Sequence, residues 1–265
     1  MKLNFEDKVL MSNQLRMIIA QMIHNSGEGH IPSSYSILDL LISLYSSIPS
    51  LGTPHCEHKF VLSKGHGCAA LYVVLASKGI LSWDDIHSYG SNDSRLGGHP
   101  DRLKQAGVEA NSGSLGHGFP FAVGLALGNK IKGNQNARVY SLLGDGECQE
   151  GTTWESASIA VNQNLSNLTA IIDWNGSASQ LQPKEFLRAK WDAFGWETIE
   201  VDGHDLSMLI ETFKTIHNSS TDKPVAIIAK TIKGKGVSFL EGHGKWHHKI
   251  PSSDELNQIR MELRV

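Results

Sequence analysis

Between residues 138 and 229 the chain alternates apolar runs with amphipathic ones at a regular pace, and this limits the fold more than any other feature. The runs at 138–143, 168–173, 196–201 and 224–229 are short and dense in apolar residues, as buried strands are. The stretches 152–163 and 205–217 carry helical spacing. Strands and helices in this order predict an α/β fold, a mostly parallel sheet with helices on both faces. "KFVLS" (59–63) reads as another short strand. Helices are expected over 6–25, over 36–47 with Ser36 as N-cap and Asp39 at N3, over 65–79, over 121–133 and over 252–263. Residues 88–118 are rich in Gly, Ser, Asn and His without periodicity, and so long an irregular stretch in a compact domain usually serves function. No repeat, low-complexity tract or Pro-rich linker divides the 265 residues, so a single domain over 1–265 is expected.

Composition removes several function classes. Charged residues make up 19% and the net charge is −3, with both signs interspersed, so no nucleic-acid or membrane-surface footprint appears. Cys56, Cys68 and Cys148 lie far apart with no CxxC, which suits a reducing compartment and argues against structural zinc. No stretch reaches the roughly 20 apolar residues of a membrane span, and the N-terminus is too polar for a secretory signal. A cytoplasmic location is the expectation.

The strand ending at Leu143 runs directly into "GDGECQEG" (144–151), a cluster of carboxylates with no basic residue among them. In an open parallel sheet, ligands bind beyond the carboxyl ends of the strands. The next strand ends in "DWNGS", which places Asn175 at a corresponding end 30 positions after Asp145. One strand–helix–strand crossover has about that length, so the two side chains can face each other. Carboxylate and amide oxygens are hard ligands of the kind magnesium or calcium prefers, and magnesium often completes its shell with phosphate and water. The acids therefore await a cation that carries phosphate. The competing reading is a Gly-Asp-Gly turn followed by an Asx turn. Neither G-x-x-x-x-G-K-[ST] nor G-x-G-x-x-G occurs.

With GDG and the Asn some 30 residues on, "LLGDGECQEGTTWESASIA…LSNLTAIIDWN" resembles the transketolase family of thiamine-diphosphate enzymes. The similarity runs in order through "SGEGHIPSSYSILDLL", "FVLSKGHGCAALY", "GGHP", "SGSLGHG", "AFGWETIEVDGHD", "AIIAKTIKGKG" and "WHHKIP". It implies the pyrophosphate-binding (PP-type) fold, thiamine diphosphate, and Mg2+ or Ca2+ held by Asp145, Asn175 and the Ser177 carbonyl. It further implies that Gly144, Gly146 and Glu147 of the acidic turn contact the cofactor. Gly113, Ser114 and Leu115 of the "SGSLG" loop pack near its aminopyrimidine, and Lys233 lies near the diphosphate. Glu150 matches a position at a subunit contact.

The sequence holds six Gly-His pairs, where its 13 histidines and 26 glycines would give about one by chance. For His204 and His243 solvated loops are the expectation. By resemblance, His30, His66, His99 and His247 contact the cofactor, the ketose or both, and are the expected catalytic set, with His66 and His247 nearer the cofactor. His117 belongs to the cofactor loop. Cleaving a ketose removes a hydroxyl proton and leaves oxygens that need donors, which imidazole supplies. Three departures bear on the donor channel: Pro32 stiffening a loop, Tyr35 in place of a smaller residue, and His248 where the family usually has glycine.

Transketolase-like enzymes draw a glutamate and their sugar-phosphate grip from a second, pyrimidine-binding domain, which nothing here supplies. The leading expectation is the N-terminal subunit of a split transketolase. It transfers a two-carbon ketol unit from a ketose (phosphate) to an aldose-type acceptor, together with a separate C-terminal subunit in an α2β2 complex. Two alternatives stay open: glycolyl transfer to a carrier protein or other biosynthetic acceptor, and a non-catalytic interaction subunit.

Overall fold

The computed structural model describes residues 7–134, 136–179, 186–219, 221–242, 244, 246 and 248–265. Its sheet contains β1 (Lys59–Leu62), β2 (Val139–Gly144), β3 (Leu168–Trp174), β4 (Glu197–Asp202) and β5 (Val225–Lys230). All pairings are parallel, in the order β1-β2-β3-β5-β4. The expected α/β class is thus observed, with strand limits within a residue of those read from the sequence.

Side chains alternate across the sheet, as the pleat requires. Tyr140, Leu142, Ile171 and Ile227 enter one core with α1 (Lys8–Ser26), α2 (Ile31–Ser47), α3 (Cys68–Ser77), α8 (Leu206–Asn218) and α9 (Ser253–Leu263). Val139, Leu143, Ile172 and Ile228 enter a second core with α5 (Gly118–Ile131), α6 (Gly151–Asn162) and α7 (Phe186–Ala193). Burial on both faces explains why β2, β3 and β5 read as nearly continuous apolar runs, whereas β4, at the sheet edge, is only partly buried. The sequence reading gives no helix at α7 or at the short α4 (Trp83–His87), both too brief to show a period. Among the described residues no helix is long and apolar enough to cross a membrane.

The start of α2 differs from expectation. The helix begins at Ile31 with Pro32 in its first turn, where a missing N–H costs nothing, so Pro32 initiates a helix rather than stiffening a loop. Ser36 is therefore interior, not an N-cap, and Asp39 is not at N3. The Ser36 hydroxyl sits 3.1 Å from the Ser33 carbonyl and 2.8 Å from the Asp173 carboxylate, and can donate to either. Asp39 is buried and paired with Arg16 of α1 at 2.6 Å. Burial alone would raise its carboxyl, but Arg16 and a bond from His204 hold it well below the usual carboxylate range. Tyr35 does not shape a channel; it is fully buried, with its hydroxyl donating to the Arg16 carbonyl (2.6 Å).

Candidate active site

A cleft of about 490 Å³ opens beyond the carboxyl ends of β2 and β3. Its walls include Gly144, Asp145, Gly146, Glu147, Asn175, Ser177, Lys233, Leu115 and His66, all singled out in the sequence. Pro32, Ser33 and Lys64 complete one side, and Trp246 another.

Asp145 lies almost entirely out of solvent. Its Oδ1 accepts from the adjacent Gly146 N–H (2.8 Å), and its Oδ2 takes, among the described residues, a long bond from Ala178 N–H (3.4 Å). Burial, with the charge of Asp173 beside it, raises the Asp145 carboxyl above its ordinary value. A carboxylate so weakly satisfied calls for a cation, and oxygen donors at the ends of β2 and β3 suit a hard divalent one. The Asn175 amide oxygen accepts from the Ser177 N–H (2.9 Å) and hydroxyl (2.6 Å), which folds the 175–178 turn toward Asp145. Lys233 reaches the Ser177 hydroxyl at 3.4 Å, and burial, then the nearby Lys64 charge, lowers its ammonium pKa. Asp145, Asn175, Ser177 and Lys233 are thus the groups able to hold a metal and a diphosphate.

Glu147 lines the same cleft, yet its oxygens are already engaged. They accept from Ser63, from Gly116 N–H (3.0 Å) and from Gly144 N–H (3.4 Å), and burial raises its pKa. It buttresses the turn between β2 and the 112–118 loop.

The buried group that anchors Lys64 and Asn175 of the cleft wall carries no flag in the sequence. Asp173 is fully buried and accepts from the Lys64 ammonium, the Ser36 and Thr231 hydroxyls and the Asn175 Nδ2. Burial alone would raise its carboxyl; Lys64, first among its partners, keeps it below the usual range. The bond to Nδ2 also turns the Asn175 oxygen away from Asp173. A lysine after a strand carries no sequence signal of this kind, because its partner lies 109 positions away.

Three of the flagged histidines form a cluster. The His30 ring, at the N-cap of α2, lies 5.3 Å from His66 and 4.2 Å from His248. His99 packs on the 112–116 loop so closely that a Cβ on Gly113 would sit 2.9 Å from its ring. Ser114 is exposed beside Leu115, and His117 at the N-cap of α5 rests against the Leu115 carbonyl (3.1 Å). Glu150 is exposed at the N-cap of α6. His247 and His243 lie outside the described residues. His204 is not in a solvated loop: its ring bridges Asp39 and the Ile232 amide, each at 2.8 Å.

A parallel sheet with an oxygen-lined cleft at its strand ends, and the His66 imidazole in the cleft wall, has the form of a ligand-binding α/β domain. Known proteins narrow the class. The sequence profile described as "Transketolase, thiamine diphosphate binding domain" matches residues 7–265, and the chain belongs to this family. It is 36% identical to one subunit of the apulose-4-phosphate transketolase of Phocaeicola vulgatus, over 96% of this chain and 92% of that one. Human transketolase is also 36% identical, but the match covers 95% of this chain and 41% of the human protein. Among solved structures, the transketolase of Campylobacter jejuni superposes with a TM-score of 0.85 at 28% identity, over 97% of this chain and 43% of that one.

Proposed function

We propose that this chain is the thiamine-diphosphate-binding subunit of a split transketolase. It moves a two-carbon ketol unit from a ketose phosphate to an aldose-type acceptor. The observation that carries the reading is the convergence of Asp145, Asn175, Ser177 and Lys233 on one cleft at the strand ends. Two relatives of matching length support the division into subunits. One is the apulose-4-phosphate protein; the other, from Clostridium sp., is a "6-deoxy-6-sulfo-D-fructose transketolase subunit", 36% identical over 87% of this chain and 86% of that one.

Asp145, Asn175 and the Ser177 carbonyl hold Mg2+ or Ca2+, and Lys233 faces the diphosphate. When bound, thiamine diphosphate supplies the electron sink for carbon–carbon cleavage. The chain's own residues orient and protonate: Gly113, Ser114, Leu115 and Glu147 shape the pocket, and His66 would stand near the cofactor, the role that the resemblance also gives to His247. His30 and His99 donate to oxygens of the two-carbon unit, and His248 narrows the same channel. A cytoplasmic C-terminal partner contributes the glutamate and the sugar-phosphate grip, meeting this single domain near Glu150.

The test is reconstitution with the pyrimidine-domain partner, followed by a single-turnover assay with xylulose 5-phosphate. Donor cleavage that depends on both subunits and on thiamine diphosphate is expected. If no ketose is cleaved although the cofactor binds, the acceptor and donor assignment fails.

A further inference from the structure

His204 stands at the junction of two networks that the proposed chemistry does not use directly. Its Nδ1–H donates to Asp39 Oδ2 (2.8 Å), and its Nε2 accepts from the Ile232 N–H (2.8 Å). These two bonds fix the ring as the neutral Nδ1–H tautomer, since each nitrogen has one role. Asp39 is itself anchored by Arg16 (2.6 Å) and Ser12 (2.5 Å), so the donor end of the imidazole is tied to a rigid, buried point on α1 and α2.

The other end grips the wall of the cleft. Ile232 lies between Thr231, whose hydroxyl donates to Asp173, and Lys233, which lines the cleft and reaches Ser177. The segment is pinned on both sides as well, by Gly203 N–H to the Lys230 carbonyl (2.8 Å) and Gly234 N–H to the Pro32 carbonyl (3.0 Å). Glycine at 203 permits this approach, because a Cβ there would meet Thr231 Cγ2 at 2.3 Å. A side chain at 204 must donate to a carboxylate and accept from an amide at once. Lys and Arg cannot accept, and ionised Asp and Glu cannot donate.

We propose that His204 is a positioning residue that latches the Thr231–Lys233 segment to the buried Asp39–Arg16 pair, thereby setting Lys233 in the cleft. The placement of the backbone stands by itself; the effect on thiamine diphosphate rests on the function proposed above.

The test compares His204→Asn, His204→Gln and the parent in the reconstituted complex. By chain length, Asn keeps a donor near the Nδ1 position but loses the acceptor toward Ile232, whereas Gln extends to the Nε2 position. Two readouts are taken: hydrogen exchange of peptides spanning 231–233, and thiamine diphosphate affinity by calorimetry. Loss of one buried hydrogen bond corresponds to about tenfold. His204→Asn should speed exchange at 231–233 and weaken affinity by that factor, with exchange in β2 and β3 unchanged and His204→Gln recovering most of both. Unchanged exchange at 231–233 in His204→Asn overturns the latch. So does faster exchange spread evenly over the sheet, which marks a purely structural role. If the parent complex binds no thiamine diphosphate while the exchange pattern holds, the function reading fails and the latch stands.

Discussion

In the proposed function Asp145 and the histidines divide the work of the cleft, and single substitutions can separate their roles. Asp145→Ala removes the carboxylate that would face the proposed cation, and charged hydrogen-bonding groups contribute about 1.5–3 kcal/mol each. Thiamine diphosphate affinity measured by calorimetry should fall at least tenfold, and a chelator should produce a comparable release from the parent. His99→Ala should behave differently, because the imidazole lies over the Gly113 loop and not among the oxygen donors. Cofactor affinity should persist while single-turnover donor cleavage drops on the order of 10²–10³, the usual effect of losing one oriented donor. These residues are legible in the sequence because glycines and acids mark them locally. Lys64, Asp173 and His204 are not, since what makes each one matter is a partner more than 100 positions away: 109 for Lys64 with Asp173, 165 for His204 with Asp39.

At the level of elements, β2, β3 and β5 are legible to within a residue because both their faces are buried, and edge strand β4 by its place in the strand–helix alternation, whereas the start of α2 is not. A serine before an apolar helical pattern reads as a cap, but Pro32 opens the helix earlier and Ser36 turns inward to Asp173. Ser36→Ala decides between the roles. An idle hydroxyl replaced by alanine would stabilise the helix by several tenths of a kcal/mol. Loss of a donor to a buried carboxylate should instead cost about 1–3 kcal/mol in urea denaturation. The opposite end of the sheet should respond to pH. The rings of His58, next to β1, and His217, in α8, lie 4.7 Å apart, and Tyr140 of β2 meets His217 at 3.1 Å. Burial lowers both imidazoles below their ordinary value; at His58, Glu57 opposes this and Arg138 adds to it, and at His217 the charge of His58 and then that of Arg138 add to it. The unfolded chain takes up protons near pH 6.5 that the folded one resists, so stability declines as pH falls through that region. The melting temperature should drop between pH 7 and pH 5.5, and His58→Gln/His217→Gln should flatten that limb. Asp39, held low, adds its own loss only below about pH 4.

For the whole molecule, the cleft and its flanking surface favour an assembly. Phe121, Ile131 and Ile159 on α5 and α6 are 39%, 77% and 47% exposed, and Gly124 and Gly128 of α5 have open space beside them. An apolar face of small and large residues next to the cofactor loop suits a packed partner. Light scattering should find two copies of each subunit after mixing, and the chain by itself should show no ketol transfer. Full transfer by the single chain would contradict the divided site. The sheet also imposes an order in time. β5 wedges between β3 and β4, so β4 leaves the ribosome before the strand that must hold it. Until residues 225–230 emerge, β3 keeps an open edge, and Asp173 lacks the hydroxyl of Thr231. The cleft therefore cannot be completed before residues 225–231 are made, and a nascent chain cannot hold a ligand there until the sheet beneath it has closed.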